Sequence, residues 1–258
     1  MKIRIAKFIA DNGAASRREA ERLIESGAVR VNGAVIESPV FFVGPQDKIE
    51  IRGKRIDASA KTRVFAFNKP IDIMTTAHDP NGRRTIYDAL PEKCKNLKYV
   101  GRLDFKTAGL LLLTNNGELA RRLTLPANGI IREYEAKLHP KNIGEIKSGT
   151  IARNLRRFLS PMSSDDSIFD AARRGLTLGG VHYAPMDIEI LSRYPLNVRI
   201  RLQEGKKNEI RIVFDYLGLP VSKLRRVAYG PIKLGNLAPG EIRELNKDEL
   251  KKISDSNN

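Results

Sequence analysis

An aspartate that could serve as a nucleophile or a base stands at position 104, directly after Gly101-Arg102-Leu103 and shortly before Thr107-Ala108-Gly109 and the apolar run Leu110 to Leu113. A carboxylate beside an arginine, just ahead of a glycine and a buried strand, sits on the edge of a rigid element rather than on a mobile tail. Spacing alone leaves an ordinary turn or capping aspartate equally open, because Asp is common in turns. Metal chemistry finds no support in the residue pattern. His78, His139 and His182 are far apart in the chain, no H-x-x-x-H or C-x-x-C occurs, and Cys94 is the single cysteine, so neither a metal site nor a cofactor is expected.

The composition points to a polyanionic partner. The 258 residues carry 46 Lys and Arg against 30 Asp and Glu, a formal net charge of +16. Clustered cations of that kind gain free energy by displacing counterions from phosphates. One cysteine rules out an intramolecular disulfide and suits a reducing cytoplasm. Lys7 and Asp11 interrupt the apolar start before it could act as a signal sequence. No segment approaches the roughly 20 apolar residues of a membrane span. The chain is therefore expected to be cytoplasmic and without a membrane partner; it is also expected to be monomeric, which these features do not themselves dictate.

The elements that must carry these residues fall into two groups. In the first 60 residues, Ile5, Phe8 and Ile9 recur at helical spacing up to Asn12-Gly13, and Ser16 with Glu19 forms a capping box for a second helix with Ala20, Leu23 and Ile24 inward. Gly27 stops that helix. Val29, Val31, the Asn32-Gly33 turn, Val35 and Ile36 predict a hairpin, and residues 48–51 a further strand. Residues 57–62 are small and polar and predict a linker.

A larger domain is expected from 63 to 245. Residues 64–67 predict a strand running into Asn68-Lys69-Pro70, followed by a polar, basic loop over 75–85. Residues 131–136 and 198–202 also predict strands, and Ile212, Phe214, Tyr216 and Leu217 the packed face of a helix. The residues after 245 look unable to pack, so 246–258 is expected to be a flexible tail.

Read whole, G-R-L-D-F-K-T-A-G-L-L-L-L-T-N-N-G-E-L-A-R-R-L-T-L-P over residues 101–126 resembles the catalytic signature of the RsuA/RluB group of bacterial ribosomal RNA pseudouridine synthases. The first-motif segment Asn68-Lys69-Pro70, the Arg132-Glu133-Tyr134 segment, and Gly205-Lys206-Lys207-Asn208-Glu209-Ile210-Arg211 follow in family order. Two departures stand out: Asp72 replaces the usual glycine after the first motif, and Lys207-Asn208 are out of the commonest order. The pattern A-S-R-R-E-A-E-R-L-I near the start is similar to the RNA-binding domain named after ribosomal protein S4.

The resemblance implies an α+β protein: a small S4-like α/β RNA-binding domain (1–60) linked to a pseudouridine synthase domain (63–245) built on a mixed, largely antiparallel sheet. It implies Asp104 as the catalytic nucleophile, Tyr134 as a catalytic residue at the substrate base, and Arg211 as the cation paired with Asp104. Arg102, Lys106 and Lys206 would hold substrate phosphates. Lys7, Arg17, Arg18, Arg22 and Lys69 would meet RNA elsewhere. Residues 1–60 hold 11 Lys and Arg against 8 Asp and Glu, a surplus of only three, so the placement of charge rather than its amount would have to bind RNA there.

An arginine is not needed to ionise a free Asp, whose pKa is about 3.9 in water. Burial against Leu103 and Leu110 would oppose the charge. A guanidinium within about 4 Å would return roughly 4 kcal/mol at an effective dielectric of 20. The expected reaction converts a uridine of ribosomal RNA to pseudouridine, without redox change or cofactor. The loop over 75–85, with Arg173-Arg174-Gly175 through Gly179-Gly180-Val181, is similar to the branch acting on large-subunit RNA. Alternatives are a synthase acting on small-subunit RNA and a non-catalytic ribosome-assembly factor. A glycosidase or nuclease would need a second acid beside Asp104, and its motif offers none.

Overall fold

A computed structural model describes residues 2–56, 61–160 and 163–255. The chain forms two compact units. One comprises residues 1–65, 90–101 and 112–124, the other 66–89, 102–111 and 125–258.

In the first unit, β1 (Ile3–Arg4) precedes α1 (Ile5–Asp11) and α2 (Arg17–Glu25). Ser16 caps α2 by accepting the Glu19 N–H at 3.2 Å, satisfying one of the donors a helix start leaves open. Strands β2 (Val29–Val31) and β3 (Ala34–Val35) pair across Asn32 (φ 52°) and Gly33 (φ 88°), the double left-handed turn that Asn-Gly favours. β4 (Phe42–Val43) pairs with β1, and β5 (Ile49–Ile51) with β6 (Lys54–Ile56) continues the small sheet. Ile5, Ile9, Ala20, Ile24, Val29 and Ile49 form its core, so the helices and hairpin stand as the spacing predicts. The linker expected over 57–62 falls largely on residues 57–60, outside the described residues.

The remaining strands form a nine-stranded sheet. They are β7 (Val64–Lys69), β8 (Lys98–Val100), β9 (Ala108–Thr114), β10 (Arg132–Leu138), β13 (Asp187–Arg193), β14 (Leu196–Leu202), β15 (Val221–Tyr229), β16 (Ile232–Lys233) and β17 (Ile242–Glu244). β11 (Leu176–Leu178) and β12 (Val181–Tyr183) make a separate hairpin. The sheet order is β13-β14-β10-β15-β9-β7-β17, with β16 on β15 and β8 on β9. The pairs β13/β14, β14/β10 and β10/β15 are antiparallel, whereas β15 and β9 run parallel. This is the mixed, largely antiparallel α+β fold expected. Helices α3 (Ile86–Ala89), α4 (Gly117–Thr124), α5 (Gly149–Leu159), α6 (Asp170–Arg174), α7 (Glu209–Tyr216) and α8 (Lys247–Asp255) complete the chain.

Two-residue periodicity explains the face each side chain takes. On β10, Arg132, Tyr134, Ala136 and Leu138 turn inward, and on β14 Leu196, Val198, Ile200 and Leu202 do the same. The opposite face carries a charge ladder. Arg201 bonds Glu133, Asp187 and Glu189, while Arg199 reaches Glu133, Glu135 and Glu189. Half-exposed pairs of this kind are each worth at most about 1 kcal/mol, so the ladder sets register more than stability.

Two expectations need correction. The segment after 245 is not a loose tail, because Lys247–Asp255 is helical and Ile253 is buried. Asn246 and Glu249 form a reciprocal capping box, with Glu249 N donating to Asn246 Oδ1 at 2.9 Å and Asn246 N to Glu249 Oε2 at 3.0 Å. Arg243 clasps the same Glu249 with two bonds. Residues 256–258 lie outside the described residues. In α7, the buried side is Ile210, Val213 and Phe214, followed by Leu217, whereas Ile212 and Tyr216 are exposed. The helical period of 3.6 puts 212 and 216 on one face and 210, 213, 214 and 217 on the other.

Candidate active site

Asp104 stands on the turn that leads into β9 and is partly buried. The long apolar run fixes that strand, for Leu110 to Leu113 are fully buried. Its glycine is a packing requirement. Gly109 has φ +103°, and a Cβ there would lie 2.2 Å from the Arg226 carbonyl oxygen on the parallel neighbour β15. Only glycine lets the two backbones approach so closely where the Asp104 turn joins the sheet.

The turn is suspended from the protein interior by its own carbonyls. Lys69, at the end of β7, is 0% exposed. Its ammonium donates to the carbonyls of Asp104 (3.3 Å), Thr107 (2.9 Å) and Pro70 (3.0 Å), so three N–H donors meet three acceptors. Burial pushes the Lys69 ammonium down to about 8, while the negative charges of Asp104 and Asp72 work against that fall. The expectation that Lys69 meets RNA is therefore corrected, because it is sealed beneath the loop. Thr75 holds the other side, its hydroxyl donating to the Leu103 carbonyl at 2.7 Å.

Asp72, where glycine is usual, adopts φ 62°. Its N–H donates to the Phe105 carbonyl at 2.8 Å and its carboxylate takes the Lys106 ammonium at 2.8 Å. The left-handed backbone is thus retained, and the new side chain adds an exposed ion pair to the turn after Asp104.

Arg211, on α7, reaches the same turn. Its Nη2 donates to the Lys106 carbonyl and its Nη1 to the Val221 carbonyl, both at 2.9 Å. The expected close ion pair with Asp104 is not formed, since no bridge of 4.0 Å or less joins them among the described residues. Desolvation lowers the guanidinium's affinity for its proton, and the charge of Asp104 acts in the opposite direction. Arg211 thus ties α7, the start of β15 and the Asp104 turn together while adding positive potential. Asp104, Phe105, Lys106, Asn208, Arg211 and Val221 line one cleft of about 700 Å³.

Tyr134 is only 9% exposed. It pairs across strands with Ile200 and Arg226, and Arg226 pairs with Gly109. Tyr134 and Gly109 are thus two strand spacings, about 10 Å, apart in the sheet, and Tyr134 does not line the cleft.

Arg226 lies in the segment 224–232, whose resemblance to the family implies closing strands with a structural role, and no place at the site is expected of it. It is 1% exposed, donates through Nε to the Leu110 carbonyl at 2.7 Å, and lies 5.0 Å from the Tyr229 ring centre. Its Nη2 is buried without a partner. Its charge also bears on Lys69, so Lys69, Arg211 and Arg226 supply positive potential around the turn.

The other expected residues divide. Lys106 lines the cleft, and Arg102 is exposed. Lys206 is engaged at the start of α7, its ammonium on the Glu204 carboxylate and its N–H on Glu209 Oε2. Burial together with that neighbouring carboxylate raises Glu209 to about 8. In the other unit, Arg17, Arg18 and Arg22 are outward on α2, and Lys7 on α1 pairs with Glu118 at 3.2 Å. His78, His139 and His182 are all exposed, and no group of three or more His, Cys, Asp or Glu that could hold a metal occurs among the described residues.

Comparison with known proteins places this geometry. Residues 63–216 match the RNA pseudouridylate synthase family, and residues 3–49 match the S4 domain. An uncharacterized RNA pseudouridine synthase of Rickettsia felis is 36% identical over 251 residues, covering 96% of this chain and 99% of its own. The ribosomal large subunit pseudouridine synthase B of Bacillus subtilis is 32% identical over 254 residues, covering 97% and 95%. A crystal structure of a pseudouridylate synthase superposes with a TM-score of 0.63 at 27% identity, covering 97% of this chain and 99% of that one. The family match over residues 63–216, the S4 match over 3–49 and a relative 36% identical across 96% of this chain show that this chain belongs to the RNA pseudouridylate synthase family and carries an S4 domain.

Proposed function

We propose that this isomerase converts one uridine of large-subunit ribosomal RNA to pseudouridine, with Asp104 as the nucleophile. The reaction breaks the bond between uracil N1 and ribose C1′, turns the base, and joins C5 to C1′. The C5 proton leaves and N1 gains one, so atoms balance with no oxidant and no added water.

The observation that carries the reading is the suspension of Asp104. Its turn is fixed through backbone carbonyls by buried Lys69 and half-buried Arg211, so the carboxylate is left for substrate instead of being spent on a close ion pair. Holding the reactive group before substrate arrives removes an entropic cost from the barrier. The nearby cations also favour negative charge where the attack begins.

Arg211 acts as a positioning residue, and Tyr134 lies within the sheet on β10, with β15 between it and the reacting end of β9. Arg102 and Lys106, both outward-facing, suit phosphates flanking an extruded base. Arg17, Arg18 and Arg22 on α2 suit RNA bound by residues 1–60, while 63–245 carries the chemistry. The target in the large subunit is favoured by the relative from Bacillus subtilis named for that substrate. The protein acts as a cytoplasmic monomer; no helix among its described residues is long and apolar enough to cross a membrane. Pseudouridine mapping of both ribosomal RNAs, with and without the gene, tests the assignment. Loss of one large-subunit modification is expected, and loss confined to the small subunit would overturn the choice of target.

A further inference from the structure

We propose that a second pocket, built around Tyr194, receives one unpaired base of the RNA strand that occupies the Asp104 cleft, while Lys137 and Lys223 hold the phosphate between the two. The inference rests on the reading of the cleft as an RNA site and adds to it a subsite for a flanking nucleotide.

Tyr194 turns the corner between β13 and β14 and is 73% exposed, the highest value among the exposed large hydrophobics of the described residues. A single exposed aromatic on a soluble protein is ordinary. This one borders a cavity of about 300 Å³ that Lys137, His139, Phe158 and Pro195 also line. An exposed ring beside a concave, cationic wall is what a splayed base needs, with a face for stacking and charge for its phosphate.

The position of the pocket ties it to the cleft. Leu138 and His139 line the Tyr194 pocket, whereas Pro220 and Val221 line the Asp104 cleft. Leu138 pairs with Val221, and the His139 N–H donates to the Pro220 carbonyl at 3.0 Å. The nearest walls of the two sites are therefore one strand spacing, about 5 Å, apart, with Tyr194 further out at the β13/β14 corner. A single RNA strand crosses that step within a few nucleotides.

The divide is positively charged. Lys137 and Lys223 are direct cross-strand partners, and neither has an ion-pair partner among the described residues. Like charges placed opposite each other destabilise a strand pair, and an anion lying across them removes that cost. Asp215, the acid lining the cleft on this side, is neutralised by Lys141 at 2.8 Å. The Arg–Glu ladder on the same face of β10 engages Arg199 and Arg201, whereas Lys137 and Lys223 are open for phosphate; Arg193, which also lines the pocket, donates through Nη1 to the Phe158 carbonyl at 3.0 Å.

The test uses the full chain with Asp104→Asn, so that binding is read without turnover, at about 150 mM salt to suppress diffuse binding. The probe is an oligouridylate of about twelve nucleotides carrying 5-iodouridine, alongside an abasic ribose-phosphate strand of equal length. Irradiation is expected to cross-link the oligouridylate to Tyr194. Adding Tyr194→Ala should weaken oligouridylate binding by roughly 5- to 100-fold, from the stacking of one base, and leave the abasic strand unaffected. Tyr194→Phe should bind as well as the parent, and Lys137→Ala with Lys223→Ala should weaken both strands. Equal binding by the Tyr194→Ala protein, or cross-links that spare Tyr194, would overturn the proposal. Failure of the pseudouridine reading would appear separately, as absence of turnover by the protein with Asp104 intact.

Discussion

Replacing Arg211 by lysine separates two ways in which a cation could serve Asp104. The guanidinium spans the Lys106 and Val221 carbonyls, each at 2.9 Å, a fork that the single ammonium of lysine cannot copy. One charge-assisted hydrogen bond is then lost, worth about 1.5–3 kcal/mol. The Coulomb attraction to Asp104 would be largely retained, and beyond 4 Å at an effective dielectric of 20 it is below about 4 kcal/mol in any case. If the lost bond is the one to Lys106, the turn after Asp104 opens, and the population holding the reactive geometry falls about ten- to hundredfold at most. Lys69 still grips the Asp104 and Thr107 carbonyls, which places the expected effect toward the lower end. The assay is single-turnover release of tritium from RNA labelled at uracil C5, with RNA affinity measured alongside. The rate should fall by about tenfold or more while affinity changes little, with a larger fall for Arg211→Met. An Arg211→Lys protein as fast as the wild type would refute the tether and leave Arg211 as a counter-charge alone.

Lys69 gives a pH signature. Its ammonium titrates near 8 in the folded protein and at 10.5 in the unfolded chain. Between those values the unfolded state binds the proton and the folded state does not, so this group's contribution to stability rises with pH across that window, by about 3 kcal/mol at most. Subtracting the denaturation free energy of Lys69→Met from that of the wild type at pH 7 and pH 10 isolates the effect; a pH-independent difference contradicts it. Turnover should decline above about pH 8, where a neutral amine offers two donors to three carbonyls. Gly109→Ala should cost at least about 3 kcal/mol, because a positive φ and a backbone collision coincide there; a shift in denaturation midpoint equivalent to less than about 1 kcal/mol would show that β9 and β15 are less tightly held. Asp72→Gly exchanges left-handed strain of about 1 kcal/mol against an exposed ion pair of at most similar size, so melting and turnover should stay close to wild type, and a large loss of turnover would reveal a further role for Asp72.

Local rules written in the sequence were legible where they concern neighbours in the chain. The Ser16 cap, the Asn32-Gly33 hairpin and the alternation of β10 and β14 all follow from spacing, and the apolar run after Asp104 becomes a buried strand. Long-range consequences were harder to read. Lys69 and Arg226 are cations, and the expectation that cations face solvent hid their place beneath the Asp104 turn. Period two could have found Arg226, which shares a face with Leu224 and Ala228, just as Arg132 shares one with Tyr134. For Lys69 no such signal exists, because every residue of β7 is buried. The pairing expected of Arg211 depended on which of several nearby acceptors wins, and two backbone carbonyls took the guanidinium. In the segment after 245, low hydrophobicity masked the Asn246 and Glu249 capping signal that starts α8.

The central claim is that the Asp104 carboxylate performs the isomerisation. A large-subunit ribosomal RNA transcript incubated with the wild type or Asp104→Asn, digested and weighed for pseudouridine, tests it most directly when RNA binding is measured in parallel. The wild type should modify one uridine, and the variant should bind the RNA equally well and modify none. Pseudouridine formed by Asp104→Asn at the wild-type rate would contradict the account.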